Sequence, residues 1–106
     1  MGELNGKQKR YLRGLAHDLK PTVHIGKQGV TDALVAEAET ALEHHELIKV
    51  KFVDWKDEKM DLAADLGKRL DGEIVGSIGH HVILFRPARQ PELRRIRLPR
   101  GSSAGS

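Results

Sequence analysis

The sequence predicts an α/β fold in which three helices pack on a small four-stranded mixed sheet. Three observations predict it. Apolar residues recur at helical spacing in three separate stretches. Four short runs rich in Val, Ile, Leu and Phe read as strands between and after them. The order helix, strand, helix, strand, helix, hairpin then lets every apolar stripe be buried against one shared sheet. At 106 residues, 39% of them hydrophobic, the chain suits a single domain with one modest core.

The first helix is expected over residues 5–19. Tyr11, Leu12, Leu15, Ala16 and Leu19 fall within an arc of roughly 140° on an ideal helix. Lys7, Lys9, Arg10, Arg13 and His17 fall on the other side. The helix must stop before Pro21, because the residue preceding proline avoids the helical region. Thr22 to Ile25 reads as a short strand, with Val23 and Ile25 on one side and His24 on the other, at the strand surface. Gly26-Lys27-Gln28-Gly29 follows as a loop. Residues 31–46 form the second helix, with Thr31 as its N-cap and Asp32 suited to the positive end of its dipole. Leu34, Val35, Ala38, Ala41 and Leu42 make its buried stripe. Glu37, Glu39 and Glu43 lie off that stripe and are expected to face water.

Leu47 to Val53 alternates, with Ile48, Val50 and Phe52 pointing one way and Lys49 and Lys51 the other. The two lysines either protect and solubilise an open sheet face or extend a positive surface. Residues 57–71 read as the third helix, buried through Leu62, Ala63, Leu66, Gly67 and Leu70. Asp71-Gly72 is its expected stop, with the glycine in the left-handed position. Ile74 to Ile78 and His81 to Phe85 form a hairpin through a two-residue Gly79-His80 turn. Pro87 ends the last strand. Residues 1–87 are therefore read as one domain. Residues 88–106, arginine-rich and closing on the low-complexity GSSAGS, are read as a flexible basic tail.

Composition excludes several chemistries. The chain has no cysteine, so disulfides and thiolate metal sites are out. His44-His45 and His80-His81 are adjacent pairs whose side chains diverge, a poor arrangement for chelating one ion. No serine sits on a sharp strand-to-helix turn of the hydrolase kind. No apolar run approaches the roughly 20 residues of a membrane span. The first ten residues lack the apolar core of a signal peptide. A cytoplasmic, non-catalytic protein without metal or cofactor is the expectation.

The net charge is only +3, but it is unevenly spread: +4 over residues 1–30, −5 over 31–72, −1 over 73–85 and +5 over 86–106. Basic ends around an acidic middle fit a molecule with one positive face. From Lys7 to His17 the first helix carries no acid, which suits a phosphate-facing surface. A glycine loop opening onto a helix N-terminus presents free N–H groups to an anion, and Lys27 adds a point charge there. Aromatic residues are scarce at 4%. That argues against a sheet that stacks bases on many rings and favours backbone recognition of structured RNA. Tyr11 and Trp55 remain as candidate stacking platforms.

Several runs carry a resemblance. Tyr11-Leu12-Arg13-Gly14-Leu15-Ala16-His17-Asp18-Leu19-Lys20-Pro21 resembles the opening of the CRM domain, the chloroplast RNA splicing and ribosome maturation family. Gly26-Lys27-Gln28-Gly29 stands at the family's spacing. Ala41 to Lys51 resembles its second signature, and Leu84-Phe85-Arg86-Pro87 its ending. The likeness covers roughly residues 7–87, and a stand-alone domain is similar to the bacterial YhbY-type members. It implies a compact two-layer sandwich like the C-terminal domain of translation initiation factor 3. It also implies RNA binding without catalysis, on ribosomal RNA of the large subunit or its precursor, with ribosomal proteins as further partners.

The resemblance carries over Gly26 to Gly29 and the basic face of the first helix beside it. In that reading Gly26 and Gly29 let the backbone approach a phosphate, Lys27 pairs with it, and Gln28 bonds a sugar or base edge. Lys7, Arg10, Arg13 and Lys20 line the surrounding charge, with Lys49, Lys51 and Arg86 as outlying contacts. The sequence departs from the family pattern at His80, where a basic residue is common, and at Phe85, where tyrosine is common. A second reading is a protein-interaction module that binds a ribosomal protein or assembly factor through Glu37, Glu39 and Glu43.

Overall fold

Asn5 fixes the start of the first helix. In the computed structural model, which describes residues 4–99, its side chain accepts from Gln8 N at 2.8 Å while the Gln8 side chain accepts from Asn5 N at 3.1 Å. This reciprocal box satisfies two otherwise unpaired amides. The helix, α1, runs Gly6–Ala16 and stops three residues short of the expected end. Leu19 N instead donates to Ala16 O in a turn ahead of Pro21. Only Leu12 and Ala16 of its stripe are buried; Tyr11, Leu15 and Leu19 stay 42%, 40% and 37% exposed. The early stop removes Leu19 from the stripe, and Tyr11 and Leu15 lie on its margin.

The remaining elements follow the expected order: β1 Val23–Ile25, α2 Asp32–His45, β2 Leu47–Phe52, α3 Lys59–Leu70, β3 Glu73–Ile78 and β4 His81–Phe85, then a 3-10 turn Pro91–Leu93. Thr31 caps α2, its hydroxyl accepting from Leu34 N at 3.1 Å. At the end of α3 the left-handed residue is Asp71, φ 55°, and not Gly72. Gly72 N donates to Gly67 O at 2.8 Å, and a Cβ on Gly67 would lie 3.2 Å from Gly72 O. Close packing, not a left-handed backbone, thus accounts for the first glycine. The hairpin turn is as expected, with Gly79 at φ 58°.

The strands form one mixed sheet in the order β1-β2-β4-β3. β1 and β2 are parallel, and the other pairs are antiparallel. Strand alternation gives each face its own core. Val23, Ile25, Ile48, Val50, Phe52, Val82 and Leu84 meet α2 and α3 on one face. Leu47, Val75, Ile83 and Phe85 meet Leu12 and Ala16 of α1 on the other. The three helices and four-stranded mixed sheet are those expected. The layering differs, with helices on both faces, because β4 is apolar at odd and even positions alike from Val82 to Phe85, and Leu47 and Val75 extend the second core.

The chain beyond Pro87 departs from the flexible tail expected there, as far as the described residues extend. Glu46, the left-handed C-cap of α2, is 1% exposed. Its carboxylate accepts from Ala88 N at 2.7 Å, Arg95 N at 2.7 Å and Ile96 N at 2.8 Å. Glu43 accepts from Arg89 N and Gln90 N. Ile96 and Leu98 pack against the α1-side core, and Gln8 Nε2 reaches Pro99 O at 3.0 Å. Residues 88–99 are a strap along the domain. GSSAGS lies outside the described residues.

The three glutamates hold their protons weakly. The Arg86 guanidinium is the main cause at Glu39, offsetting some burial. Amides of Arg89 and Gln90 lower Glu43. Burial is the largest single influence on Glu46 and pushes it up, but the three strap amides and the Arg94 cation together outweigh it. Folded values below the usual carboxylate value mean that these contacts contribute fully above about pH 4.5 and are lost as pH falls through the folded values. Urea midpoints should therefore fall as pH drops from about 5 to 3. Replacing Glu46 with Ala orphans three amides and should lower stability by about 2–4 kcal/mol at pH 7. It should also flatten that acid dependence.

Candidate RNA interface

The parallel pairing of β1 with β2 brings three loops to one end of the sheet. Gly26 follows the last residue of β1. Val53 N and Asp54 N, just past β2, both donate to Ile25 O at 2.9 and 3.2 Å. The β3–β4 turn meets the same end, where Phe52 N donates to His80 O at 2.8 Å and Lys59 Nζ to Gly79 O at 2.6 Å.

Gly26 to Gly29 forms a tight turn closed by Gly29 N donating to Gly26 O at 3.0 Å. Lys27 and Gln28 occupy its two corners, both exposed. Gly29 sits at φ 68°, a conformation that costs residues with a Cβ about 1 kcal/mol or more. The backbone amides of Lys27 and Gln28 donate to no protein acceptor among the described residues. They stand beside the first turn of α2, whose leading amides are unpaired by construction of a helix. The result is a positively biased concavity of about 380 Å³, bordered by His24, Gly26 to Gly29, Thr31 and Leu34, with Glu37 at its edge. It can accept a phosphate on backbone amides with Lys27 alongside.

Trp55 braces this turn. Its Nε1 donates to Lys27 O at 3.0 Å, and a Cβ on Gly29 would lie 3.7 Å from the same nitrogen. Trp55 is itself left-handed, φ 62°, and the residue remains 45% exposed. Sequence reading named it as a stacking surface only; its spacing from Lys27 gave no sign of a brace, which depends on the β1–β2 pairing. A second hollow of about 570 Å³ opens beside it, lined by Lys27, Lys56, Asp54, Asp57 and Glu58 among others. Asp54, Asp57 and Glu58 place negative charge on that side of the turn. No group of three or more metal-ligating side chains occurs among the described residues.

The other expected contacts divide. Lys51 is exposed and pairs in register with His24, at the loop end of the sheet. Lys49 is partly covered and lies one step back, opposite Ile83. Lys20 and Arg10 are exposed. Lys7 is exposed in the first turn of α1, at the far end where Gln8 meets Pro99 and Leu4 N meets Glu73. Arg13 lies across Gly76, where a Cβ would come within 2.5 Å of its Cδ, and donates to Val75 O at 2.9 Å. It is anchored to the sheet edge, at the register shift between Ile74 and Gly76.

Arg86 is not a surface contact. It is 3% exposed, and its guanidinium donates to Glu39 at 2.8 Å, Glu43 at 3.0 Å and Leu70 O at 3.2 Å. Its place at the end of β4, under the strap, puts it inside. The same bonds correct the expected acidic face, since Glu39 and Glu43 are engaged by Arg86, Arg89 and the strap. Glu37 is left exposed. A hollow of about 810 Å³ lies at this end among Asp71, Gly72, Arg86 to Arg89 and Arg94, far from the glycine turn.

If Trp55 braces the turn, Trp55→Phe removes the indole donor while keeping a ring. Global stability should change by about 1 kcal/mol or less. Exchange of the Gly29 amide proton with solvent should rise at least several-fold, read by hydrogen-exchange NMR. An unchanged rate at Gly29 would show that the turn holds itself.

The family model for the CRS1/YhbY (CRM) domain matches residues 4–86. An "RNA-binding protein" of Haemophilus influenzae is 42% identical over 94% of this chain and 99% of its own length. The "Probable RNA-binding protein YqeI" of Bacillus subtilis is 39% identical over 91% of this chain and 99% of its own. The solution structure of a Staphylococcus aureus protein has the same fold, with a TM-score of 0.77 and 38% identity, covering 92% of this chain and 100% of that one. No helix among the described residues is long and apolar enough to cross a membrane. The chain belongs to the CRS1/YhbY (CRM) domain family.

Proposed function

We propose that this protein binds RNA without catalysing a reaction on it, and that it docks on ribosomal RNA of the large subunit or its precursor during assembly. The observation that carries the reading is the Gly26–Gly29 turn. It exposes Lys27 and Gln28 at its corners beside the N-terminus of α2, with Trp55 fixing its shape. Relatives of nearly the same length named as RNA-binding proteins support RNA as the ligand. Gly26 and Gly29 let the backbone approach, Lys27 pairs with a phosphate, and Gln28 reaches a sugar or base edge. Lys51, Lys20 and Arg10 supply surrounding charge. Arg13 contributes through its anchored position, and Lys7 and Lys49 are outlying. The setting is cytoplasmic, and ribosomal proteins are further partners on the assembling particle.

The competing reading, a protein partner held by the acidic face of α2, has lost most of its surface to the strap, since Glu39 and Glu43 already carry arginines and backbone amides.

The test is sedimentation of a cell extract on sucrose gradients at low and high salt, probing for this protein. It should co-migrate with the large subunit or its precursors at low salt. It should leave them at high salt, and Lys27→Glu should leave them at both. In purified form, binding to a ribosomal RNA hairpin should weaken by roughly 0.9 log units per log unit of salt for each phosphate neutralised. Lys27→Ala should reduce that slope by about one. A protein that stays at the top of the gradient under all conditions would defeat the ribosomal reading.

A further inference from the structure

The sheet face that α1 covers is not covered along its whole length. α1 buries Leu47, Val75, Ile83 and Phe85. One step further toward the glycine turn, the strands place His24, Lys51, His81 and Ile78 directly opposite one another across β1, β2, β4 and β3. Residues paired in this way project from the same face. Val23, Ile25, Phe52 and Val82, their neighbours in the chain, are buried on the other face. His24 and Lys51 are exposed, His81 is half-buried, and Ile78 is 51% exposed. With strands about 4.8 Å apart, the row is about 14 Å long.

This row has the makings of a base platform. Its order is imidazole, ammonium, imidazole, branched alkyl. Flat rings and apolar side chains offer faces to unstacked bases, and a lysine between them offers a charge to the connecting phosphate. Counting only Phe, Trp and Tyr makes such a platform look absent from this chain, but imidazoles serve the same purpose. His24 is also among the residues that border the concavity of the glycine turn, so one end of the row adjoins that site. The lysine at its centre disfavours an apolar protein partner and favours a polyanion.

We propose that the row His24–Lys51–His81–Ile78 holds unpaired nucleotides that extend from the RNA gripped by the glycine turn. His24 and His81 stack on bases, Ile78 closes the end of the platform, and Lys51 pairs with the phosphate between. The proposal rests on the RNA reading above and adds the class of RNA element recognised: a duplex or hairpin with an adjoining single strand.

The experiment compares two probes, a short blunt RNA hairpin and the same hairpin with a run of unpaired adenosines on either end in turn. Wild-type protein should bind one of the extended hairpins roughly fivefold or more tightly than the blunt one, the low end for stacking one base. The double variant Ile78→Ala, His81→Ala should lose most of that preference and keep its affinity for the blunt hairpin. Lys27→Glu should weaken both. In NMR titrations the ring protons of His24 and His81 should move with the extended RNA and stay in place with the blunt one. Equal wild-type affinity for all probes overturns the platform alone, as does a double variant that keeps the preference or unmoved ring protons. Wild-type protein that binds no RNA probe overturns the RNA reading and this proposal with it.

Discussion

The parallel hydrogen bonding of β1 to β2 is the constraint on which the site depends. A parallel pair cannot be joined by a tight turn. The chain must leave β1, cross the sheet as α2 and return as β2. The glycine turn is the first part of that crossover, and the residues after Phe52 emerge beside it because both strands end together. Ile25 O, accepting from Val53 N and Asp54 N, makes the junction physical. Trp55 is thereby delivered to the carbonyl of Lys27. Ligands in open α/β sheets commonly gather at the carboxyl ends of parallel strands for this reason.

The opposite end of α2 has a different task. Glu39, Glu43 and Glu46 recur at helical spacing and face the strap, where they collect Arg86, Arg89 and five backbone amides. Breaking one partner of such a network leaves buried charge unmatched, which is why single changes there are costly while the network itself adds less than its bond count implies. For function the consequence is a sorting of charge. The acids that make residues 31–72 negative in sequence are partly neutralised internally, at the end away from the glycine turn.

Legibility in the sequence followed the range of the interactions involved. The helices and strands, the capping of α2 by Thr31 and the Gly79-His80 turn rest on contacts a few residues apart, and their chemistry can be read locally. The left-handed residue after α3 was misassigned to Gly72 because Asp71 also tolerates that conformation. The loop residues Gly26 to Gly29 were readable as a motif, but their brace was not, since Trp55 and Lys27 meet only through sheet pairing. Arg86, Glu39 and Glu43 were misread for one reason, while Glu37 is exposed as expected. An isolated charge in a sequence looks like surface, and only a strap folded back from residues 88–99 makes it interior. The strap itself carried a faint signal: Ile96 and Leu98 alternate with Arg95 and Arg97, the period of an extended segment with one buried side.

A net charge of +3 is small for a protein whose partner is a polyanion, and the surroundings of the glycine turn are mixed in sign. Asp54, Asp57 and Glu58 line the hollow beside Trp55, and Glu37 edges the one beside Gly26. On the reading proposed above, these acids weaken the long-range attraction of a polyanion to this end of the molecule without cancelling that of its lysines. On that same reading, acids around a few fixed donors penalise a phosphate that arrives off-position more than one seated on the turn amides and Lys27. Specificity of this kind is a difference in affinities, produced as much by the repulsive rim as by the attractive centre. It requires a rigid centre, because a mobile turn would let the phosphate drift toward the acids. The indole bond to Lys27 O and the left-handed Gly29 are what keep the donors and the rim in fixed relation.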